Sequence, residues 1–90
     1  MVRIGEVATF PGVKPDKEQA KKVLEEAAEM FGAWQDYDER PWKTSRIEAL
    51  RDECADVIQA VANMLAAVGV EDFTEDMQAC EARNRERGRL

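Results

Sequence analysis

Between Ile47 and Val68 the apolar residues fall at Ile47, Leu50, Cys54, Val57, Ile58, Val61, Leu65 and Val68, and Gly69 follows at once. Steps of three and four trace one face of a 3.6-residue helix, and no proline or alternating run interrupts them. A glycine just past the last periodic residue is the usual way to end such a helix. The segment therefore reads as a helix of some twenty residues with one apolar stripe. A helix cannot bury that stripe alone, so the chain must supply a second helix or another copy of itself.

The second helix lies upstream. Asp16 is a good N-cap, with Gln19 three residues later as its capping-box partner. Ala20, Val23, Leu24, Ala27, Phe31 and Trp34 then recur at helical spacing, which predicts a helix from about Lys17 to about Gln35. The pattern breaks between Asp36 and Thr44, where Pro41 and polar neighbours predict a loop carrying Tyr37 and Trp42. Ser45 and Glu48 form a second capping box at the start of the long helix. Thr74 is a candidate N-cap for a third, shorter helix with Met77 and Cys80 inward, fading into the arginine-rich end. Residues 1–15 read as an extended arm or short strand closing at Pro11-Gly12. The expected fold is one all-α domain, a bundle of two long antiparallel helices plus a shorter third. At 90 residues its own core is marginal, which points to an oligomer, a dimer or tetramer.

The charge balance narrows the chemistry. Nineteen acids against thirteen bases give a net charge of −6, which disfavours nucleic acid and anionic membranes as partners. A phosphate substrate stays open, because a bound divalent cation inverts the local field. The chain has no histidine, which removes Ser-His and Cys-His catalysis and the commonest transition-metal ligand. Cys54 and Cys80 are too far apart for a CxxC motif, and both read as core residues. The start MVRIGEVATF lacks the apolar stretch of a secretory leader, and no run reaches membrane-spanning length. A cytoplasmic protein with reduced thiols is expected.

The remaining oxygen chemistry is concentrated on the two long helices. Glu26 and Glu29 are an i,i+3 pair on the first, and Glu53 and Asp56 are one on the second, so each pair shares a face. On the second helix they belong to a secondary stripe, Ala49, Glu53, Asp56, Ala60, Asn63 and Ala67, beside the main apolar one. The first helix has a matching row, Gln19, Lys22, Glu26, Glu29 and Ala33. Alanines permit close approach, and facing rows would gather four carboxylates in one cleft. Two like charges about 4 Å apart repel by roughly 4 kcal/mol at an effective dielectric of 20, so such a set retains protons or takes a divalent cation. Oxygen ligands without His or Cys favour Mg²⁺, with Mn²⁺ as a substitute. Solvated acids on charged helices are the plain alternative, since i,i+3 acids arise by chance.

Glu25-Glu26-Ala27-Ala28-Glu29 followed by Glu53-Cys54-Ala55-Asp56 resembles the EExxE…ExxD signature of the MazG-like nucleotide pyrophosphohydrolases. EALRDECADVIQAVANMLAAVGV and the ending ARNRERGR resemble small phage-type members of that superfamily, so the resemblance covers roughly residues 17–89. It implies Mg²⁺ on Glu26, Glu29, Glu53 and Asp56, with Glu25 as the base that activates water. The implied reaction is hydrolysis of a nucleoside triphosphate between the α and β phosphates, giving a nucleoside monophosphate and pyrophosphate. It also implies a helical bundle assembled as a dimer or tetramer, with the cleft near a subunit interface. The related phosphoribosyl-ATP pyrophosphohydrolases share the acidic pattern, but their amino-terminal segment has no match here.

Further candidates carry plainer readings beside the functional ones. Arg83, Arg85, Arg87 and Arg89, with Asn84 among them, suit bidentate phosphate binding, or form a solvated tail. Lys22 is placed to touch phosphate, or to pair with Glu26 one turn on. Asn63 is placed to orient substrate, or to make a buried interhelical hydrogen bond. Trp42 is a candidate for stacking on a base, whereas Trp34 reads as core. A non-catalytic helical oligomerisation module is the alternative from a different class, and saturable Mg²⁺ binding separates it from an enzyme.

Overall fold

A computed structural model describes all of residues 1–90. It has three helices and no strand: α1 (Lys17–Glu39), α2 (Thr44–Ala67) and α3 (Thr74–Glu86). No helix is long and apolar enough to cross a membrane.

α1 starts as its sequence predicts, with Asp16 Oδ1 accepting the Gln19 N–H at 2.9 Å. It runs four residues further than expected and takes Tyr37 into the helix. Nothing before Pro41 forbids the helical conformation, and the residue before a proline is the one driven out of it. Arg40 obeys that rule at φ −141°, ψ 69°.

α2 also begins earlier than expected, at Thr44, and the anticipated Ser45 cap lies inside it. Lys43 is the N-cap residue and makes no side-chain capping bond. The tight turn over Pro41 sets this start, together with Arg46. Its guanidinium donates to the Asp36 carbonyl at 2.7 Å and lies 3.6 Å from Glu39. A cation on the last carbonyls of α1 satisfies a helix end and pins the two helices together.

With that short connection α1 and α2 form an antiparallel hairpin, Arg46 beside Asp36 at one end and Asp56 beside Glu26 further along. α2 closes as predicted: Gly69 sits at φ 86°, and the Val70 N–H donates to the Leu65 carbonyl at 2.9 Å, a Schellman closure.

α3 is started by Asp72 rather than Thr74. Asp72 Oδ1 accepts both the Thr74 N–H at 3.0 Å and its hydroxyl at 2.6 Å. The helix continues through Arg83 and Arg85, where fading was expected, because Gly88 at φ 73° lets Arg89 N–H reach the Asn84 carbonyl at 2.8 Å. α3 packs closely on neither long helix. Met77 is correspondingly 56% exposed rather than inward.

Burial reverses one expectation. Only Glu26, Ala60 and Asn63 are buried, and all three belong to the alanine-bearing rows. The hairpin closes on those rows because alanines let the backbones approach. The larger apolar stripe of α2 is left half covered. Val57, Ile58, Val61 and Leu65 line an open groove between the amino-terminal arm and α3. On α1, Leu24 is 71% exposed, and Phe31 and Trp34 stack on each other at 5.8 Å between centroids on the open surface, so Trp34 is not core. Cys54 and Cys80 are only half buried.

Residues 1–10 form no strand. The arm lies along α2, held by Gln59 Nε2 donating to the Ala8 carbonyl at 2.9 Å and by the Phe10 N–H donating to Asn63 Oδ1 at 3.1 Å.

Candidate metal centre

The hairpin brings one carboxylate of α1 and two of α2 together. Oxygens of Glu26, Glu53 and Asp56 all lie within 4.8 Å of one another. Three oxygens this close could hold one hard cation such as Mg²⁺ once the side chains draw in around it. Glu26 is 8% exposed, Glu53 is half buried, and Asp56 opens to solvent.

Glu26 Oε2 and Glu53 Oε2 are buried without any hydrogen-bond partner. A buried acceptor left unpaired carries a full desolvation penalty, larger for a charged group. A hard cation satisfies both oxygens and offsets the repulsion within the cluster, so the donor set fits Mg²⁺ or Mn²⁺.

The fourth predicted ligand, Glu29, is exposed and falls outside this three-carboxylate cluster. The adjacent Glu26 charge raises its carboxyl above the usual glutamate value, with smaller contributions from a Glu26 hydrogen bond, desolvation and Glu53. Two carboxylates hydrogen-bond only when one carries a proton.

Lys22 takes the pairing with Glu26 that its spacing suggested. Nζ lies 3.2 Å from Glu26 Oε1 and 4.0 Å from Glu25 Oε2. Its ammonium is held protonated above the ordinary lysine value, chiefly by the hydrogen bond and charge of Glu26. The lysine balances one of the clustered charges and remains accessible. Glu25 is half exposed beside it, at the rim and outside the triad.

A cleft of about 100 Å³ adjoins the carboxylates, lined by Phe10, Lys22, Glu26, Asp56, Gln59, Ala60 and Asn63. Full small-molecule sites run to about 300–1,000 Å³, so a nucleotide would extend beyond it over the open rim. Lys22 and Asn63 thus both border the cleft, and Asn63 makes its hydrogen bonds to the arm and to Gln59 of its own helix rather than between α1 and α2. Asn63 is 4% exposed and bridges the arm to α2.

Other expected substrate contacts lie elsewhere. Trp42 is exposed in the α1–α2 turn and does not line the cleft. Arg83, Asn84 and Arg87 sit at the end of α3. Asn84 Nδ2 donates to the Cys80 carbonyl at 3.1 Å, and its Oδ1 accepts from Arg89 at 3.2 Å. Arg85 pairs with Glu81 at 3.1 Å.

Phe10 and Gln59 were not anticipated. Gln59 had a signal, being one turn from both Asp56 and Asn63. Phe10 had none, because its partner lies 53 residues away.

No family model matches the chain, and no curated protein or solved structure matches it either.

Proposed function

We propose that the protein is a Mg²⁺-dependent nucleoside triphosphate pyrophosphohydrolase. The observation that carries the reading is the convergence of Glu26, Glu53 and Asp56 with two buried, unpartnered carboxylate oxygens among them. The motif resemblance supports it independently of the geometry. Glu26, Glu53 and Asp56 would hold the cation, with Glu29 next to them as a fourth candidate. When bound, Mg²⁺ supplies positive charge against the phosphates and acidifies water at the site.

The chain's own groups then divide the work. Glu25, half exposed at the rim, takes a proton from the attacking water on its carboxylate. The water oxygen bonds to the α phosphorus as the bridge to the β phosphate breaks, and pyrophosphate leaves with the bridging oxygen. Lys22, already flanking Glu26, is placed to steady a phosphate oxygen. Arg83, Asn84 and Arg87 lie on a helix that packs on neither α1 nor α2, so they would reach phosphates only at a cleft completed by a second copy.

Assembly as an oligomer belongs to the same proposal. Its accessible surface of 7393 Å² compares with roughly 5,300 Å² expected for a folded monomer of 10.2 kDa. Its radius of gyration of 15.2 Å compares with about 12 Å for a compact 90-residue domain. The excess surface is of the size that stable protein interfaces cover. A non-catalytic oligomerising module would share this property but would not need the orphaned acids.

The test is a screen of the eight common triphosphates and phosphoribosyl-ATP with Mg²⁺, read by release of pyrophosphate. The expected result is turnover of at least one, giving a monophosphate. Glu53→Gln should reduce it at least a hundredfold with helical circular dichroism unchanged. Turnover of none, or equal turnover by Glu53→Gln, would reject the enzyme.

A further inference from the structure

The arm clamped over the cleft does more than pack. Backbone groups fix the orientation of both amides in the clamp. The Phe10 N–H is an obligate donor, so the Asn63 atom facing it at 3.1 Å is the oxygen. The Ala8 carbonyl is an obligate acceptor, so the Gln59 atom 2.9 Å away is the nitrogen, which also donates to Asn63 Oδ1 at 3.0 Å. Both lone-pair positions of Asn63 Oδ1 are thereby used. What remains of this buried residue, which lines the cleft, is its NH₂ group, a donor only. Phe10, 60% exposed, is the one aromatic residue lining a cleft whose other lining residues are acids, a lysine, amides and Ala60. Pro11 and Gly12 turn the chain away immediately afterwards, Gly12 at φ 74°, so the backbone at Phe10 is set from both sides.

We infer that Phe10 is the stacking platform for the base of the substrate and that Asn63 donates through Nδ2 to a carbonyl oxygen on that base. This rests on the reading of the carboxylates as the phosphate-binding, cation-holding end of the same cleft. A flat π surface next to a fixed donor is what a nucleobase requires, and stacking tolerates every base. The donor adds selectivity. Guanine, uracil and thymine present a carbonyl acceptor on their recognition edges, whereas adenine places an amino donor next to its ring acceptor. An asparagine free at both ends pairs adenine in two places, but this one has no acceptor left to offer. The site therefore favours keto bases over adenine.

The experiment measures binding to the full-length protein in Mg²⁺ by calorimetry. The probes are inorganic tripolyphosphate and the α,β-methylene analogues of dGTP, dUTP and dATP. Wild type is expected to bind the keto nucleotides at least tenfold tighter than tripolyphosphate, and tighter than the adenine analogue. Phe10→Ala should lose that advantage while tripolyphosphate affinity stays the same, and Phe10→Trp should restore it. Asn63→Asp keeps the acceptor bonded to the arm but removes the donor. Relative to tripolyphosphate, it should lower the preference for keto bases over adenine.

Binding of tripolyphosphate with no gain from any base overturns this inference and leaves the metal-centre reading standing. So does a full base advantage in Phe10→Ala. No binding of any probe overturns both.

Discussion

Glu26 and Glu53 each keep an oxygen out of water with nothing to receive. In the metal-free protein these charges oppose one another and, with Glu29, oppose folding. Removing one should relieve the repulsion. Glu53→Gln is expected to melt higher than wild type without divalent ions and to lose the stabilisation that Mg²⁺ gives wild type. At a Mg²⁺ concentration a hundredfold above Kd, binding adds about 2.7 kcal/mol to wild type. For a chain of this size that is roughly 10–20 °C in Tm. Thermal melts of both proteins with Mg²⁺ and with a chelator check this. Equal Mg²⁺ shifts in the two would show that the cation binds elsewhere. The acids themselves were legible in the sequence, because i,i+3 spacing fixes their common face whatever the rest of the chain does. The Phe10–Asn63 bond was not, since no local pattern encodes a contact across 53 residues.

At the level of elements, stop and start signals were read well where one residue type suffices and poorly where two compete. Gly69 ended α2 as expected and Asp16 opened α1, each by a local backbone requirement. Ser45 lost its capping role because Arg46 and the Pro41 turn set the start of α2 two residues earlier, at Thr44 with Lys43 as its N-cap. Thr74 lost its role to Asp72, whose oxygen accepts two hydrogen bonds from it.

That last arrangement has a pH consequence. The hydrogen bonds from Thr74, side chain first and backbone second, hold the Asp72 carboxyl below its ordinary value near 3.8. Its folded pKa is thus below the unfolded one. The stabilisation is present above pH 3.8 and fades as the pH falls through the lowered folded value. Amide exchange at the start of α3 should accelerate relative to α1 across that acid window. Asp72→Asn, which keeps an acceptor oxygen but does not titrate, should flatten the dependence. An unchanged acid response in the variant would place its origin in another group.

Over the whole molecule, the sequence's strongest apolar stripe is not the surface on which the hairpin closes. The stripe of α2 announces a buried face, but periodicity does not say what buries it. The chain uses the alanine-bearing rows for its internal contact and leaves Leu24, Phe31, Val61 and Met77 open. A sequence can show that a face must be covered, whereas the choice between the chain itself and a second copy depends on three-dimensional packing. Light scattering after size exclusion should therefore give a mass at a whole multiple of 10.2 kDa, with Tm rising with protein concentration. Phe31→Glu, a charge placed on the open α1 face, should shift the mass toward the monomer. A wild-type monomer that is fully helical and concentration-independent would contradict the assembly.

The shared cation is the point on which the whole account turns, and Mn²⁺ titration followed by electron paramagnetic resonance addresses it most directly. The account predicts saturable binding in a fixed ratio to the chain, competed by Mg²⁺ and abolished in a Glu26→Gln, Glu53→Gln, Asp56→Asn variant that keeps its helical circular dichroism. Free Mn²⁺ signal throughout the titration, with and without a non-hydrolysable nucleotide, or undiminished binding in the triple variant, would contradict it.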